Sequence, residues 1–200
     1  MIEENIKVSI TTFFDKKNDY QKQILDLKQK LKLLKLPKRI EVYDNSHLSG
    51  TNPVGAMIVY DENKFNKACY RKFNIKFDKD IIHDDYFMMN QVLTRRFSNI
   101  KSNSSWKMKL PNLIIIDGGK GHLNIVKKIL EEKKMENIDL IAIAKGKNRN
   151  AGEETIFKDK KKLNLKKNDS VLFFLQRLRD EAHRFAISSQ RYRRKLNMKE

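Results

Sequence analysis

Three segments in the first half of the chain have strand-like patterns: hydrophobic and polar residues alternate along residues 39–44 and 68–75, and residues 55–60 form a largely apolar run. This alternation is typical of strands that place one face on a hydrophobic core. Residues rich in Ser, Gly, Asn and Pro separate the first two segments, and Asp61-Glu62-Asn63 separates the second from the third. Both separators have the composition of turns. The pattern therefore predicts three strands paired as an antiparallel meander.

The pattern changes to a helical period in the next part of the chain. Tyr86, Met89, Leu93 and Phe97 share one face of a predicted helix. The continuous apolar run 113–117 is typical of a central strand covered on both faces, and residues 138–144 predict another buried strand. A glycine-rich turn and a further helix connect these two strands, which predicts a β-α-β unit with parallel strands.

A short strand around residues 155–157 and a long helix from about Asp169 complete the predicted elements. Three antiparallel strands followed by alternating helices and parallel strands predict an α/β fold, with an RNase H-like mixed sheet flanked by helices. Before this domain, residues 17–36 form a charged amphipathic pattern that Pro37 ends. We interpret residues 1–37 as a helical linker or connecting segment outside the core, and residues 38–200 as the α/β domain.

The chain is strongly basic, with 43 Lys and Arg against 25 Asp and Glu and a net charge of +18. Such a balance favours a nucleic-acid partner, because basic side chains that neutralise phosphates release counterions. The sequence is also rich in Lys, Asn and Ile, as AT-biased coding produces, so a merely solvated basic surface is the alternative.

The single cysteine, Cys69, excludes an internal disulfide and a cysteine-based zinc site. Its place in an alternating run predicts a buried structural thiol. The sequence has no apolar run of membrane-spanning length, and its beginning lacks the features of a signal peptide. These features predict a cytoplasmic protein.

Two aspartates end predicted strands, Asp44 the first and Asp117 the fourth. In a mixed sheet of this order these strands can lie side by side and parallel, which places both carboxylates within reach of one divalent ion. A carboxylate-bound Mg²⁺ or Mn²⁺ supplies the charge neutralisation and the activated water that phosphodiester cleavage needs. Either aspartate alone is more simply a turn former, so the hypothesis depends on the two together.

Two further groups could take part. Asp84 and Asp85 stand at a helix start, where one can cap the helix and the other can add a metal ligand. His183 lies beside the apolar stripe of the last helix, and an imidazole can serve as a general base or a metal ligand. A helical histidine is nevertheless more often a surface or core residue.

The turn 118–121 is not a P-loop, but its backbone N–H groups and Lys120 can approach a phosphate; a tight turn that needs glycine is the alternative reading. Other basic residues could line a DNA path, although part of them must be solvated surface: Arg95, Arg96, Lys145, Lys147, Arg149, Arg184, Arg191, Arg193 and Arg194.

Five blocks of this sequence, in order and covering about residues 38–196, resemble the C-terminal nuclease region of UvrC proteins. They are RIEVYDNSH at 39–47, the Asp84-Asp85-Tyr86 block with LTRRF at 93–97, LIIIDGGKG at 113–121, AKG at 144–146, and QRLRDEAHRFAI at 176–187. UvrC is the incision subunit of bacterial nucleotide excision repair. The resemblance implies an RNase H-like endonuclease domain that cuts damaged duplex DNA on the 5′ side of a lesion.

The resemblance also implies a catalytic set of Asp44, Asp117 and His183, with Asp85 at a further acidic position that matters for the incision. It implies Mg²⁺ or Mn²⁺ as cofactor, held chiefly by Asp44 and Asp117. Two residues depart from the family's pattern, His83 and His122, and neither is expected to contact a proposed ligand.

Other parts of the family have no match in this sequence, namely the nuclease for the 3′ cut, the UvrB-docking helical pair and the C-terminal DNA-binding module. Contact with UvrB is therefore expected of the full-length family. An endonuclease V-like enzyme is one alternative, and the His183 block and the motif spacing disfavour it. A catalytically silent DNA-binding module is another, but it predicts lost acidic residues, whereas Asp44, Asp85 and Asp117 are present.

Overall fold

A computed structural model of the chain shows one mixed sheet with helices on both faces. The structure describes residues 18–46, 54–75, 85–98, 109–145, 154–159 and 161–197, without the side chains of residues 46 and 189–197. The strands are β1 (Arg39–Ser46), β2 (Val54–Asp61), β3 (Lys64–Phe65), β4 (Arg71–Asn74), β5 (Leu113–Asp117), β6 (Asp139–Ala144), β7 (Thr155–Lys158) and β8 (Lys161–Leu163). The helices are α1 (18–30), α2 (Asp85–Phe97), α3 (Lys120–Glu132) and α4 (Ser170–Asn197), with a short 3₁₀ helix at Lys67–Cys69.

The strand order is β3-β2-β1-β5-β6-β7-β8, and β4 pairs with β2 beside β3. Strand β1 runs antiparallel to β2 and parallel to β5, and β5 runs parallel to β6. This arrangement confirms the predicted α/β class and the parallel pairing of the first and fourth predicted strands. The third predicted strand is shorter than expected, because a 3₁₀ helix ends at Cys69 and β4 begins only at Arg71. The side chain of Cys69 is only half-buried. The expectation of a buried thiol in a strand is therefore wrong.

The register of β1 and β5 determines where their last side chains point. Tyr43 pairs with Ile116, so both strands reach the same edge of the sheet together. Side chains alternate across a strand: Val42 and Ile115 pack in the core beneath α4, whereas Tyr43 and Ile116 pack in the core beneath α2 and α3. By this alternation Asp44 and Asp117 face the side of the sheet that α4 covers.

Helix α4 begins where the sequence predicted. The carboxylate of Asp169 accepts a hydrogen bond of 2.9 Å from the backbone N–H of Val171, which caps the helix. The apolar face of α4 packs against β1 and β2, and its buried members are Val171, Leu172, Phe174, Leu175, Leu178, Ala182 and Ala186. Among the described residues, no helix combines the length and apolarity that crossing a membrane requires.

Helix α1 contributes to the core, which corrects the interpretation of the N-terminal segment as a linker outside it. Leu27 and Leu31 are fully buried in the core beneath α4, whereas Leu25 and Leu34 are exposed. Asp139, at the start of β6, accepts a 2.7 Å hydrogen bond from the backbone N–H of Leu34 and so fixes the end of the segment. The apolar residues that matter share one helical face, so the segment packs as an ordinary core helix. The boundary at residue 37 remains a prediction.

Candidate active site

Three of the predicted site residues meet at the edge of the sheet. One ligand atom from each of Asp44, Asp117 and His183 lies within 4.8 Å of the other two. The Nδ1 atom of His183 lies 3.0 Å from an Oδ atom of Asp44. The Asp44 side chain is 9% exposed and that of His183 is 44% exposed. The cluster therefore combines a buried and a half-buried carboxylate with an imidazole that is open to solvent.

The fold explains why these groups converge. Asp44 and Asp117 come at the ends of neighbouring parallel strands, at one step beyond the paired residues Tyr43 and Ile116. His183 follows Ala182, which is fully buried against the sheet. The ring therefore starts beside the buried stripe of α4 and reaches over the end of β1.

The electrostatics of the cluster favour a bound cation. Burial raises the pKa of Asp117, and the negative charge of Asp44 raises it further. The positive charges of Lys145, Arg179 and His183 oppose this rise without cancelling it. Two carboxylates that repel each other in a poorly solvated place are stabilised when a divalent cation lies between them.

The donor set fits such a cation. Carboxylate oxygens are the ligands that Mg²⁺ and Mn²⁺ prefer, and imidazole nitrogen suits transition metals. Oxygens of Asp44 and Asp117 are the atoms that would hold the ion, with a nitrogen of His183 within reach.

A buried ion pair borders this cluster, and sequence reasoning did not assign it to the site. Arg179 donates from Nη1 to Glu154 at 3.1 Å and from Nη2 to Asp180 at 2.9 Å. Burial raises the pKa of Glu154, but hydrogen bonds from Gln176 and Arg179 lower it by more, so that the net pKa lies below its ordinary value. The available signal was spacing, because Arg179 lies one helical turn before His183 and shares its face of α4.

Asp85 lies outside the group of three. It begins α2, on the face of the sheet opposite α4, and its side chain is 44% exposed. One of its carboxylate oxygens lies 3.1 Å from Nε2 of His122 at the start of α3. His122 therefore contacts Asp85, a predicted site residue, although the sequence assigned it no role in the site. His83 and Asp84 lie outside the described residues.

Several predicted DNA contacts are exposed where a phosphate could reach them. Lys120 and Lys145 are exposed near the ends of β5 and β6. The exposed side chain of Arg184 forms an ion pair with Glu181 at 2.7 Å. Arg95 is half-buried and donates to the backbone oxygen of Asn74. Lys147, Arg149 and the side chains of Arg191, Arg193 and Arg194 lie outside the described residues.

The prediction that Arg96 contacts DNA is wrong. Its side chain is completely buried and donates to both carboxylate oxygens of Glu41, at 3.0 Å from Nε and 2.7 Å from Nη2. Glu41 also binds Arg39 and accepts from the Tyr43 hydroxyl. A buried charge needs such partners, so Arg96 belongs to an internal ion network.

The fold is that of an RNase H-like α/β domain, and the edge cluster has the ligand groups that could hold a metal ion. Residues 28–187 match the model of the UvrC RNase H endonuclease domain. The chain belongs to this family.

Curated relatives agree with that assignment. The chain is 48% identical over 182 residues to UvrABC system protein C of Rhodopseudomonas palustris (strain BisB18), covering 85% of this chain and 26% of the relative. It is 47% identical over 186 residues to UvrABC system protein C of Zymomonas mobilis, covering 89% of this chain and 27% of the relative. The chain thus spans about a quarter of the length of these relatives.

Solved structures show a more distant likeness. Endonuclease V of Ciona intestinalis, in complex with a 24mer DNA that contains an inosine followed by a ribo-adenosine, is 15% identical with a TM-score of 0.41, and the match covers 66% of this chain and 59% of that one. Human ENDOV is 10% identical with a TM-score of 0.41, over 64% and 58%. At these values the likeness does not bear on function.

Proposed function

We propose that this chain is a metal-dependent DNA endonuclease that makes the 5′ incision in bacterial nucleotide excision repair. The observation that carries the proposal is the convergence of Asp44, Asp117 and His183 within 4.8 Å at the edge of the sheet. Membership of the UvrC RNase H endonuclease domain family supports it.

We propose Mg²⁺ or Mn²⁺ as the ion that Asp44 and Asp117 hold. When bound, a divalent ion supplies charge neutralisation at the scissile phosphate and makes water a stronger acid. Nδ1 of His183 lies 3.0 Å from Asp44; in the tautomer with the proton on Nδ1, this contact orients the ring and leaves Nε2 to accept a proton from the attacking water. We propose Asp85 as a further acidic residue that the incision needs. It lies on the opposite face of the sheet, where its carboxylate contacts His122.

We propose damaged duplex DNA as the substrate and the cytoplasm as the location. We propose that Lys120 and Lys145, which are exposed and follow β5 and β6, bind phosphates of the DNA. The relatives' name places them in the UvrABC system, and we propose UvrB as the partner that brings the full-length members of the family to the lesion.

Strand cutting in the presence of Mn²⁺ tests this function. The substrates are a duplex with one defined lesion, supplied with UvrB, and the same duplex carrying a nick on the 3′ side. Wild type is compared with Asp44→Asn, Asp117→Asn and the control Asp159→Asn, whose exposed side chain lies elsewhere. Loss of several kcal/mol of charge stabilisation predicts at least a roughly 100-fold slower cut for the first two variants.

Wild type and the control should cut the strand on the 5′ side of the lesion at equal rates. Cutting that survives both site substitutions would contradict the active-site assignment. Absence of cutting by wild type on both substrates would contradict the proposed function.

A further inference from the structure

Ends of four neighbouring strands meet at the site edge, and the last of them brings a third carboxylate. Asp44 lies two residues before the end of β1, Asp117 ends β5, and Lys145 follows β6. Strand β7 runs antiparallel to β6 and its first residue pairs with the last of β6. Glu154, which directly precedes β7, therefore lies at this same edge.

Helix α4 crosses this edge and is attached to it at two points. His183 contacts Asp44 at 3.0 Å. One turn earlier, Arg179 contacts Glu154 at 3.1 Å, and Gln176 donates to the other oxygen of Glu154 at 2.6 Å. Two contacts one turn apart constrain the rotation of a helix about its axis and its position along that axis more closely than either contact alone.

The second attachment, the ion pair between Arg179 and Glu154, is buried, and both side chains have several hydrogen-bond partners. The side chains of Arg179 and Glu154 are 9% and 4% exposed. The Arg179 guanidinium donates to Glu154 on one side and to Asp180 on the other. A planar guanidinium in such a fork has a defined orientation, so this pair is suited to hold a helix in place rather than to bind a phosphate.

Solvent access makes the two attachments unequal. His183 is 44% exposed, and an exposed pair of this kind contributes little stability by itself. Apolar packing alone does not select partners for polar side chains, because hydrophobic burial is not directional. The buried ion pair is therefore the more closely defined of these two attachments.

We propose that Glu154 and Arg179 are positioning residues, which with Gln176 fix the rotation of α4 so that His183 stays on Asp44. The inference rests on the proposed function, in which His183 accepts the proton from water. It adds a second layer of residues to the site without giving either of them contact with the substrate.

The test compares Glu154→Ala, which removes the acceptor, with Glu154→Gln, which retains an acceptor oxygen for Arg179. Tyr70→Phe is the matched control, because the Tyr70 hydroxyl donates to Glu181 at 3.1 Å and so attaches the same helix at a place away from Asp44. Two readouts are measured: the cleavage rate at saturating DNA together with the DNA concentration at half-saturation, and the NMR resonance of the His183 Nδ1 proton, assigned by its loss in His183→Gln.

Removal of a residue that orients an active-site group typically costs about 10- to 100-fold in activity, and we expect this loss in the rate of Glu154→Ala. The DNA concentration at half-saturation should change by less than about twofold, because binding does not involve the pair. The His183 resonance should move upfield or broaden in Glu154→Ala. Glu154→Gln should recover most of both signals, and Tyr70→Phe should match wild type.

An unchanged rate and resonance in Glu154→Ala would overturn the proposal, and so would an equal loss in Tyr70→Phe. If Glu154→Ala does not fold, Arg179→Lys is measured in the same way, since it keeps the charge but not the fork. A wild type that shows the His183 resonance but cuts no DNA would contradict the proposed function alone, because the resonance reports on position without activity.

Discussion

His183 and Asp44 are 139 residues apart in the sequence, yet Nδ1 of the one lies 3.0 Å from an Oδ atom of the other. The contact joins the last helix to the first strand, across the edge where Asp117 also lies. A proton on Nδ1 held by a carboxylate leaves the opposite ring nitrogen directed away from Asp44. The pair therefore combines one group that fixes a ring with one that can exchange a proton.

Replacing His183 by Gln should slow DNA cutting by about 10²- to 10⁴-fold, the usual contribution of a general base. DNA binding should change little, because the ring neutralises no phosphate. Single-turnover cleavage and a separate binding titration measure the two effects. Ser188→Ala on the same helix serves as control, since its hydroxyl donates only to the backbone of Phe185 among the described residues. A wild-type rate in His183→Gln would contradict the assigned role.

Two aspartates at opposite ends of neighbouring strands, the half-buried Asp117 and the buried Asp139, should respond to substitution in opposite directions. The pKa of Asp117 is raised by burial and by Asp44, so the folded chain binds this proton more tightly than the unfolded chain. The free energy of unfolding therefore falls as the pH rises from the ordinary carboxyl pKa, about 3.9, through the raised one. Without added metal, Asp117→Asn should raise the melting temperature at pH 7 and have little effect near pH 3.

Asp139→Asn is the contrasting change. Asp139 is 4% exposed, forms an ion pair with Lys158 at 3.1 Å and accepts from the backbone of Leu34. Its loss should cost about 1–3 kcal/mol, because buried polar partners are left unsatisfied. Thermal melts of both variants across this pH range check the pair of expectations. Destabilisation by Asp117→Asn at pH 7 would show that the site carboxylates do not repel each other as described.

The buried network around Glu41 predicts a large stability effect from a basic residue that the sequence suggested for DNA binding. Arg96→Met leaves the charge of Glu41 partly uncompensated, which typically costs about 3–5 kcal/mol. Urea denaturation measures the loss. Arg95→Met is the neighbouring control and should cost less than about 1.5 kcal/mol, since it loses single hydrogen bonds to neutral groups. Equal effects of the two substitutions would contradict the distinction between them.

The strand ends could be predicted because two simple rules act together. Alternation and apolar runs located β1 and β5, and the order of elements made them parallel neighbours, so Asp44 and Asp117 had to share an edge. The position of His183 relative to these strands could not be predicted in the same way. Its spacing on α4 indicates which face it occupies, but not which strand end lies opposite, and its assignment came from the resemblance to UvrC proteins.

The residue that sequence reasoning misplaced and the pair that it missed share a physical cause, which is that their partners are distant in sequence. A charged side chain is normally solvent-exposed, but Arg96 is buried because Glu41 meets it from 55 residues away. Glu154 and Arg179 likewise gain a role only when β7 closes against β6 beside α4. Patterns along one element cannot reveal such pairs.

The turn after Asp117 predicts a dependence between two positions. A Cβ atom added at Gly118 would lie 2.7 Å from Cγ and 2.8 Å from Nδ1 of the His122 ring. Gly118→Ala must therefore displace the ring that contacts Asp85, at a cost of about 1–3 kcal/mol for an overpacked position. The same substitution in a His122→Ala background should cost much less.

Thermal denaturation of wild type, Gly118→Ala, His122→Ala and the double variant completes this double-mutant cycle. Gly121→Ala is the control, because nothing lies within 4 Å of its added Cβ and alanine favours a helix over glycine by about 1 kcal/mol. If Gly118→Ala cost the same with and without His122, the ring would not lie against Gly118.

The exposed lysines at the site edge predict a measurable change in the salt dependence of DNA binding. Each phosphate contact contributes about 1 to the slope of log K against log salt concentration, so Lys145→Ala and Lys120→Ala should each lower the slope by about that amount. Lys30→Ala is the control, because Lys30 forms an ion pair with Asp169 at the start of α4. A slope that falls equally in the control would indicate that net charge alone, rather than a defined phosphate path at the edge of β5 and β6, accounts for DNA binding.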